Sequence, residues 1–158
     1  MADQFDPLDT PRLHLEPVSP DVAVAIVAGD LRGLQPGEGW PHSDTKDGMA
    51  LAAKHGHPAA WLVTLDGRVI GDCGTHGPVD GAGAVDIGYG LAHPYRGQGF
   101  GTEVVLAMSA WLLAQPGVVS VRARTLAANV ASRRVLEKSG FQMTGGSATE
   151  SIYELRLR

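Results

Sequence analysis

Apolar and polar residues alternate along several short segments of the chain, and this alternation predicts β-strands. Two of the segments flank Asp66-Gly67, a dipeptide that suits the positive φ angles of a tight hairpin turn, so they are expected to pair with each other. A first strand is expected near Leu13–Val18. The other predicted strands cover residues 60–65, 68–71, 84–91, 118–124, 141–144 and 151–157.

Apolar residues at helical spacing predict helices between these strands. Ser19-Pro20 is typical of a helix start, and Asn129 is a plausible cap of the last helix. The predicted helices cover residues 19–31, 46–55, 103–114 and 129–139. Residues 1–11 are expected to form a loose lead-in, and the Gly- and Pro-rich residues 32–45 a long loop of the kind that often carries function. The order of elements predicts one mixed α/β domain over residues 1–158.

Composition narrows the classes of function. The chain has 158 residues, which is enough for one well-packed domain, and a net charge of −4. This charge argues against a general nucleic-acid binder, which usually has a basic face, and is compatible with a cationic substrate such as an amine. No apolar run approaches the roughly 18 residues that span a bilayer, so no membrane association is expected. Cys73 is the single cysteine and residues 1–12 do not resemble a signal peptide, so a cytoplasmic location is expected.

A glycine-rich segment, His93 to Glu103, lies between a predicted strand and a predicted helix. Helix N-termini preceded by glycines bind phosphates through unpaired backbone N–H groups. A P-loop is excluded because no lysine lies in or just after the segment, and the dinucleotide fingerprint fails because Thr102 occupies its third glycine position. The pattern Arg96-x-x-Gly99-x-Gly101 remains, as does a turn of purely structural value.

Four segments resemble, in order and spacing, the GCN5-related N-acetyltransferase (GNAT) superfamily, and within it the branch of ribosomal-protein N-terminal acetyltransferases. They are Val69-Ile70-Gly71-Asp72, Asp86-Ile87-Gly88-Tyr89, the arginine–glycine loop with Thr102-Glu103, and the stretch from Asn129 to Phe141. The resemblance implies a mostly antiparallel sheet of six to seven strands with about four helices, in which two central parallel strands splay apart. It also implies acetyl-CoA as co-substrate, with no metal.

The resemblance assigns candidate cofactor contacts. Backbone near Tyr89, Gly90 and Leu91 is expected to pair with the pantetheine arm, and the pyrophosphate is expected on backbone amides of the glycine loop. The loop residues are Gly97, Gln98, Gly99, Phe100, Gly101 and Thr102. Arg96 either adds charge against the phosphates or packs on the surface, and the side chain of Phe100 is expected in the core. Asn129 either caps its helix or contacts the pantetheine, and Ser132, one turn further, is expected near the cofactor sulfur.

The implied reaction is direct attack of a neutral primary amine on the thioester in a ternary complex. A backbone N–H near Leu91 is the expected oxyanion donor. Asp86 is the candidate base, working through a water; alternatively it positions substrate or bonds its neighbours. Residues 86, 88 and 90 share one strand face, and the glycines are expected to leave room there for the acceptor. Many relatives have a tyrosine as leaving-group acid where this chain has Leu136, so Ser132, water or Tyr153 would have to replace it.

Several alternatives remain open from the sequence. The acceptor could be a protein N-terminus, a lysine or a small amine, and a homodimer is possible because dimers are common among relatives. A catalytically weak CoA-binding sensor is the second hypothesis, favoured by Leu136, and a dinucleotide-dependent oxidoreductase is disfavoured by the failed fingerprint. His42 and His76 could border the acceptor pocket, and Trp40 either forms its wall or plugs the sheet. His55-x-His57 lacks a carboxylate partner at ligand spacing, so no metal site is expected.

Overall fold

The computed structural model describes residues 5–55 and 59–157, which form a mixed eight-stranded sheet with four α-helices. The strands are β1 (Leu8–Asp9), β2 (His14–Pro17), β3 (Ala60–Leu65), β4 (Arg68–Thr75), β5 (Ala84–Leu91), β6 (Ser120–Leu126), β7 (Gln142–Gly146) and β8 (Glu150–Arg156). The helices are α1 (Pro20–Val27), α2 (Thr45–His55), α3 (Phe100–Leu113) and α4 (Val130–Lys138). The spatial order of the strands in the sheet is β1-β2-β3-β4-β5-β6-β8-β7. The α/β architecture is confirmed, with one strand more than the six to seven predicted.

The additional strand lies in the segment that was predicted to be a loose lead-in. β1 pairs antiparallel with β2, and the ring of Phe5 packs edge-on against Trp61 at a centroid distance of 5.1 Å. The indole N–H of Trp61 also donates to the backbone oxygen of Asp6 at 2.8 Å. The lead-in prediction is therefore wrong for residues 5–11, because an aromatic contact and a buried indole N–H hold this segment on the sheet. Residues 1–4 lie outside the described residues.

Helix starts follow the sequence signals closely. The Ser19 side chain accepts a hydrogen bond from the Val22 N–H, and the Asn129 side chain accepts one from the Ser132 N–H, so both residues act as N-caps. The third helix begins at Phe100, three residues before the predicted start at residue 103. The reason is Gly99, whose φ of +86° turns the chain directly from the glycine loop into the helix.

Alternate residues of the central strands point to two apolar cores, one on each face of the sheet. Trp61 and Ile70 belong to the core that α3 and α4 cover, whereas Leu62 and Val69 belong to the core beside α1 and α2. Trp40 is buried in this second core, which confirms that it plugs the sheet. Within the described residues, no helix is long and apolar enough to cross a membrane.

The two central strands separate part-way along their length. β5 and β6 are the one parallel pair of the described sheet, and they pair from Ala84 opposite Ser120 as far as Ile87 opposite Ala123. β5 then continues to Leu91 and β6 to Leu126 without further pairing between them. The predicted splay is confirmed, and it leaves a wedge-shaped gap that is open toward the glycine loop.

Candidate active site

A cavity of about 370 Å³ occupies the gap between β5 and β6. Its walls come from both faces of the sheet. On the side of α4 it is lined by Tyr89, Ala123, Asn129, Ser132 and Leu136. On the side of α2 it is lined by His42, Asp44, Asp47, Asp72, His76, Gly88 and Gly90. A molecule bound in the gap can therefore be reached from either face of the sheet.

The backbone of β5 offers unpaired groups along this gap. The Asp86 oxygen accepts from the His76 N–H at 2.8 Å, and the Ala92 N–H donates to Ile70 at 2.8 Å, so even-numbered residues of β5 bond to β4. Backbone direction alternates along a strand, so Tyr89 and Leu91 point their N–H groups the other way, toward the separated β6. Tyr89 lines the cavity, whereas Leu91 is buried outside its lining.

The glycine loop presents the N-terminus of α3 at the open end of the gap. Gly97 and Gly99 have φ angles of +74° and +86°, which other residues adopt with strain. The Phe100 side chain is buried, so this residue offers only its backbone, and the N–H groups of the first helical turn have no partners within the helix. The loop fits an anionic group such as a pyrophosphate, bound mainly by backbone.

Arg12 is a neighbour of this loop that the sequence analysis did not single out. Its guanidinium forms an ion pair with Glu103, donates to the Gln98 oxygen at 2.9 Å and stacks over the ring of Phe100 at 4.2 Å. Arg12 lies far from the loop in the chain, so no local pattern could have linked them. The predicted loop cation, Arg96, instead donates its Nε–H to the Leu91 oxygen at 2.9 Å and closes the loop back onto β5.

Tyr89 and Ser132 form a hydroxyl pair on the α4 side of the cavity. Their side-chain oxygens lie 3.0 Å apart, and Asn129 caps α4 through the Ser132 N–H. Burial raises the pKa of Tyr89 and outweighs the opposite effect of Ser132, so the phenol is protonated at neutral pH. The expected alternative, Tyr153, lies fully buried outside the cavity lining, where its hydroxyl accepts from Arg133 and donates to Glu137 at 2.9 Å.

Asp86 is committed to basic residues of β6. Its carboxylate accepts a hydrogen bond from Nε of Arg122 and lies 3.9 Å from Nε of Arg124. The pKa of Arg122 is raised, chiefly by this hydrogen bond from the guanidinium to the carboxylate. Because these contacts occupy the carboxylate, they favour the alternative interpretation, in which Asp86 bonds its neighbours.

The strand face expected to hold the acceptor carries two imidazole rings instead. A methyl group added at Gly88 would overlap the ring of His76, and one added at Gly90 would lie 2.7 Å from Cε1 of His42. The expectation of open space above these glycines is therefore wrong. The glycines leave room for histidines from the loop before α2 and from the end of β4, and no pattern local to β5 could indicate this.

His42 belongs to a buried network around Asp72. One oxygen of Asp72 accepts from the Trp40 indole at 2.9 Å and from the Thr45 hydroxyl at 2.7 Å, and Nε2 of His42 lies 3.3 Å from it without hydrogen-bond alignment. Burial of His42 opposes charge on its ring, but Asp72 and Asp44 outweigh this effect and raise its pKa. The network therefore fixes the loop before α2 against the sheet.

The similarity of the chain to known proteins agrees with this geometry. The profile of the acetyltransferase (GNAT) domain matches residues 12–142, well over half of the chain. The chain belongs to the GNAT acetyltransferase family. It is 25% identical over 155 residues to an uncharacterized N-acetyltransferase, YjdG, of Bacillus subtilis, a match that covers 89% of this chain and 92% of the other.

Solved structures share the fold. RimL, a ribosomal L7/L12 α-N-protein acetyltransferase in complex with coenzyme A, superposes with a TM-score of 0.71 at 17% identity, over 96% of this chain and 98% of that one. Mycobacterium smegmatis RimJ, in complex with CoA disulfide, superposes with a TM-score of 0.66 at 23% identity, over 96% of this chain and 86% of that one. The microcin C7 self-immunity acetyltransferase MccE, in complex with acetyl-CoA and AMP, superposes with a TM-score of 0.66 at 14% identity, over 93% of both chains.

Membership of the family makes this chain an acetyl-CoA-dependent N-acetyltransferase, and the predicted enzyme class and co-substrate are confirmed. In the described part of the chain, no group of three or more His, Cys, Asp or Glu side chains could hold a metal ion. His57 and the side chain of His55 lie outside the described residues.

Proposed function

We propose that the enzyme acetylates a cationic primary amine, with the donor bound on the α4 side of the gap and the acceptor entering from the α2 side. The observation that carries this proposal is the cavity itself, which joins the two faces of the sheet through the gap between β5 and β6. Carboxylates and imidazoles line the α2 side of this cavity, and the unpaired end of β5 leads away from it toward the glycine loop, so each substrate can have its own entrance.

Acetyl-CoA, when bound, supplies an acetyl group activated as a thioester. The glycine loop with the start of α3 would hold its pyrophosphate, and the Arg12 guanidinium, paired with Glu103, lies beside that loop. The backbone N–H groups of Leu91 and then Tyr89 would pair with the arm that extends into the gap. The reacting end therefore belongs at the narrow end of the gap, beside the last paired residues Ile87 and Ala123.

The position of the narrow end of the gap favours one of the two backbone donors. Tyr89 is two residues closer than Leu91 to the point where β5 and β6 join, and it lines the cavity. We therefore assign the Tyr89 N–H, rather than the predicted Leu91 N–H, as the donor that stabilises charge on the carbonyl oxygen. Leu91 is then left to bind the arm.

The Tyr89–Ser132 pair supplies a proton for the departing sulfur. Leu136, at the position where many relatives have tyrosine, is buried and forms an apolar part of the cavity wall. Tyr89 comes from a different element but places a protonated phenol on the same side of the cavity, 3.0 Å from the Ser132 oxygen. Ser132 can relay or share this proton, which agrees with its predicted position near the sulfur.

Replacing Tyr89 by phenylalanine is expected to lower kcat about 100-fold, because general-acid assistance is lost while the backbone N–H is kept. The affinity for CoA, measured by titration calorimetry, is expected to stay within about twofold. Tyr95→Phe is the matched control, because Tyr95 lies outside the cavity lining and its loss should leave kcat unchanged. Wild-type kcat in Tyr89→Phe would show that the thiolate leaves without this group.

The acceptor entrance is acidic. Asp44 and Asp47 are exposed at its rim, and Asp72 lies buried below them. Carboxylates at a pocket mouth favour ammonium groups over neutral or anionic ones. The structural neighbours that acetylate ribosomal proteins make peptide N-termini the first acceptors to test, and a small amine remains the alternative.

Thiol release tests the proposal directly. Purified enzyme is mixed with acetyl-CoA and a panel of peptides with free N-termini, Nα-blocked lysine and small aliphatic amines, and free CoA is followed with a thiol reagent. We expect release above background with at least one cationic amine, and acetylated product by mass spectrometry. Tight CoA binding without release across the whole panel would instead support the sensor alternative.

A further inference from the structure

His76 has the position of a proton acceptor on the amine side of the gap. It directly follows β4, and its N–H is anchored to the Asp86 oxygen at 2.8 Å. Its ring lies against Gly88, where any side chain would overlap it. Gly88 is the first residue of β5 after the last pair with β6, so the ring lies at the narrow end of the gap. Tyr89, the proposed oxyanion donor, is the next residue.

The ring nitrogens of His76 are available for chemistry. Among the described residues, neither nitrogen takes part in a hydrogen bond or an ion pair, and the ring lines the cavity. The contrast with Asp86 and His42 is clear, because Asp86 is held by Arg122 and His42 by the buried network around Asp72. Histidine is the side chain that most often acts as a general acid or base, and an imidazole without a polar partner can accept a proton.

The charges around His76 set its protonation state. Partial burial of the ring against Gly88 lowers its pKa, and the weaker influence of Asp86 in the opposite direction does not offset this. The other charged or titratable groups around this half of the cavity are Arg122 and Arg124 on β6, with His42, Asp44, Asp47 and Asp72 on the α2 side. With its pKa below the ordinary 6.5, His76 is neutral at pH 7 and can accept a proton.

We propose that His76 is the general base of the acetyl transfer, an assignment that rests on the proposed function. The acceptor ammonium gives a proton to a His76 ring nitrogen, directly or through one water. The lone pair of the neutral acceptor amine then forms the new N–C bond to the carbonyl carbon. The C–S bond breaks with its electron pair on sulfur, Tyr89 supplies the proton for the thiolate, and the tyrosinate regains a proton from solvent. The amide product loses its second N–H proton to solvent.

The variant His76→Gln tests this assignment. We expect kcat/KM at pH 7 to fall about 10²- to 10³-fold, the range for loss of a general base. The wild-type kcat/KM should level off above about pH 6.5, once His76 is neutral. In the variant, kcat/KM should keep rising with pH until the acceptor ammonium has lost its proton, which for an α-amine has a pKa of about 8. The difference in kcat/KM between the wild type and His76→Gln should therefore be smaller at pH 9 than at pH 7.

Four measurements separate a base from a structural role. In His76→Ala, added imidazole is expected to restore part of the lost rate, because it can occupy the space above Gly88. The CoA affinity and the melting temperature should stay at wild-type values, since the His76 ring forms no hydrogen bond or ion pair among the described residues and lies on the α2 side of the gap. By NMR, the His76 imidazole of the free wild-type enzyme should titrate below 6.5. His14→Gln, on β2 far from the cavity, is the matched control and should retain full activity.

Two results would overturn the assignment. One is a His76→Gln enzyme with wild-type rate and pH profile; the other is a pH profile that changes in Asp86→Asn and not in His76→Gln. Failure of the proposed function would give a different result, because the wild-type protein would then release no thiol with any amine. An active wild-type enzyme with an unaffected His76→Gln variant removes only the His76 assignment.

Discussion

Replacing Gly99 by valine is expected to weaken acetyl-CoA binding by at least about 100-fold. Gly99 caps α3 with a φ of +86°, a left-handed conformation that costs an L-residue about 1–2 kcal/mol and a β-branched residue more. A Cβ there would lie 3.1 Å from Nη2 of Arg12, within the loop that is expected to bind the pyrophosphate. Either relief of strain or displacement of Arg12 disturbs the backbone N–H groups that form the anion site. Calorimetric titration with CoA measures the loss.

The control for Gly99→Val is Gly29→Val. Gly29 has a similar φ of +82°, a Cβ added there would meet no atom within 4 Å, and the residue is remote from the glycine loop. Gly29→Val should therefore lose comparable stability and keep its affinity for CoA. Wild-type CoA affinity in Gly99→Val would show that the pyrophosphate binds elsewhere, which would remove the basis for the donor assignment.

Replacing Asp72 by alanine is expected to lower the free energy of unfolding by about 3–5 kcal/mol. The substitution leaves the buried Trp40 indole and Thr45 hydroxyl without an acceptor and leaves His42 without its counter-charge. Asp72→Asn keeps an acceptor oxygen and should lose less. Urea denaturation measures these changes, with Asp21→Ala on the exposed first turn of α1 as a control expected within about 0.5 kcal/mol of the wild type.

The pH dependence of stability provides a second measurement on the Asp72 variants. The pKa of His42 is raised on folding, so its charged ring stabilises the native state fully below about 6.5. This contribution is lost as the pH rises through the higher pKa of the folded protein. In Asp72→Ala the carboxylate that raises the pKa of His42 is absent, and burial of the ring then opposes its charge. The stability lost as the pH rises should therefore be smaller than in the wild type or change sign. A pH dependence identical to that of the wild type would contradict a role for Asp72 in the charge of His42.

Local sequence signals were sufficient wherever one segment carries the whole argument. Asp66-Gly67 forms the predicted turn, Ser19 and Asn129 cap the predicted helices, and the glycine loop leads into α3. The family and its co-substrate followed from the resemblance of four segments, in order and spacing, to the GNAT enzymes, and the glycine loop is consistent with backbone recognition of a pyrophosphate. Individual site residues and a homodimer stay predictions that the experiments above and a measurement of oligomeric state can test.

Long-range contacts decided what those signals left open. Asp86 was the candidate base because its chemistry and strand face were right, but its partner, Arg122, lies 36 residues away on the neighbouring strand. Leu136 suggested a missing acid, whereas Tyr89 places a hydroxyl beside Ser132 from another element. Phe5 shows the same limit at the N-terminus, where its contacts with Trp61 and Trp111 order an acidic, proline-containing segment.

The sequence by itself determined the turns, the helix caps and the glycine loop, since these depend on backbone conformations that glycines and capping residues encode locally. Through the resemblance of its motifs to the GNAT superfamily it also indicated the fold family and the acetyl donor. Only the tertiary structure decided which side chains line the α2 side of the gap. His42 and His76 lie on glycines of β5 because three separate segments meet at the end of the β5–β6 pairing. Proton transfer depends on distances between such segments, and the periodicity of any one of them carries no information about those distances.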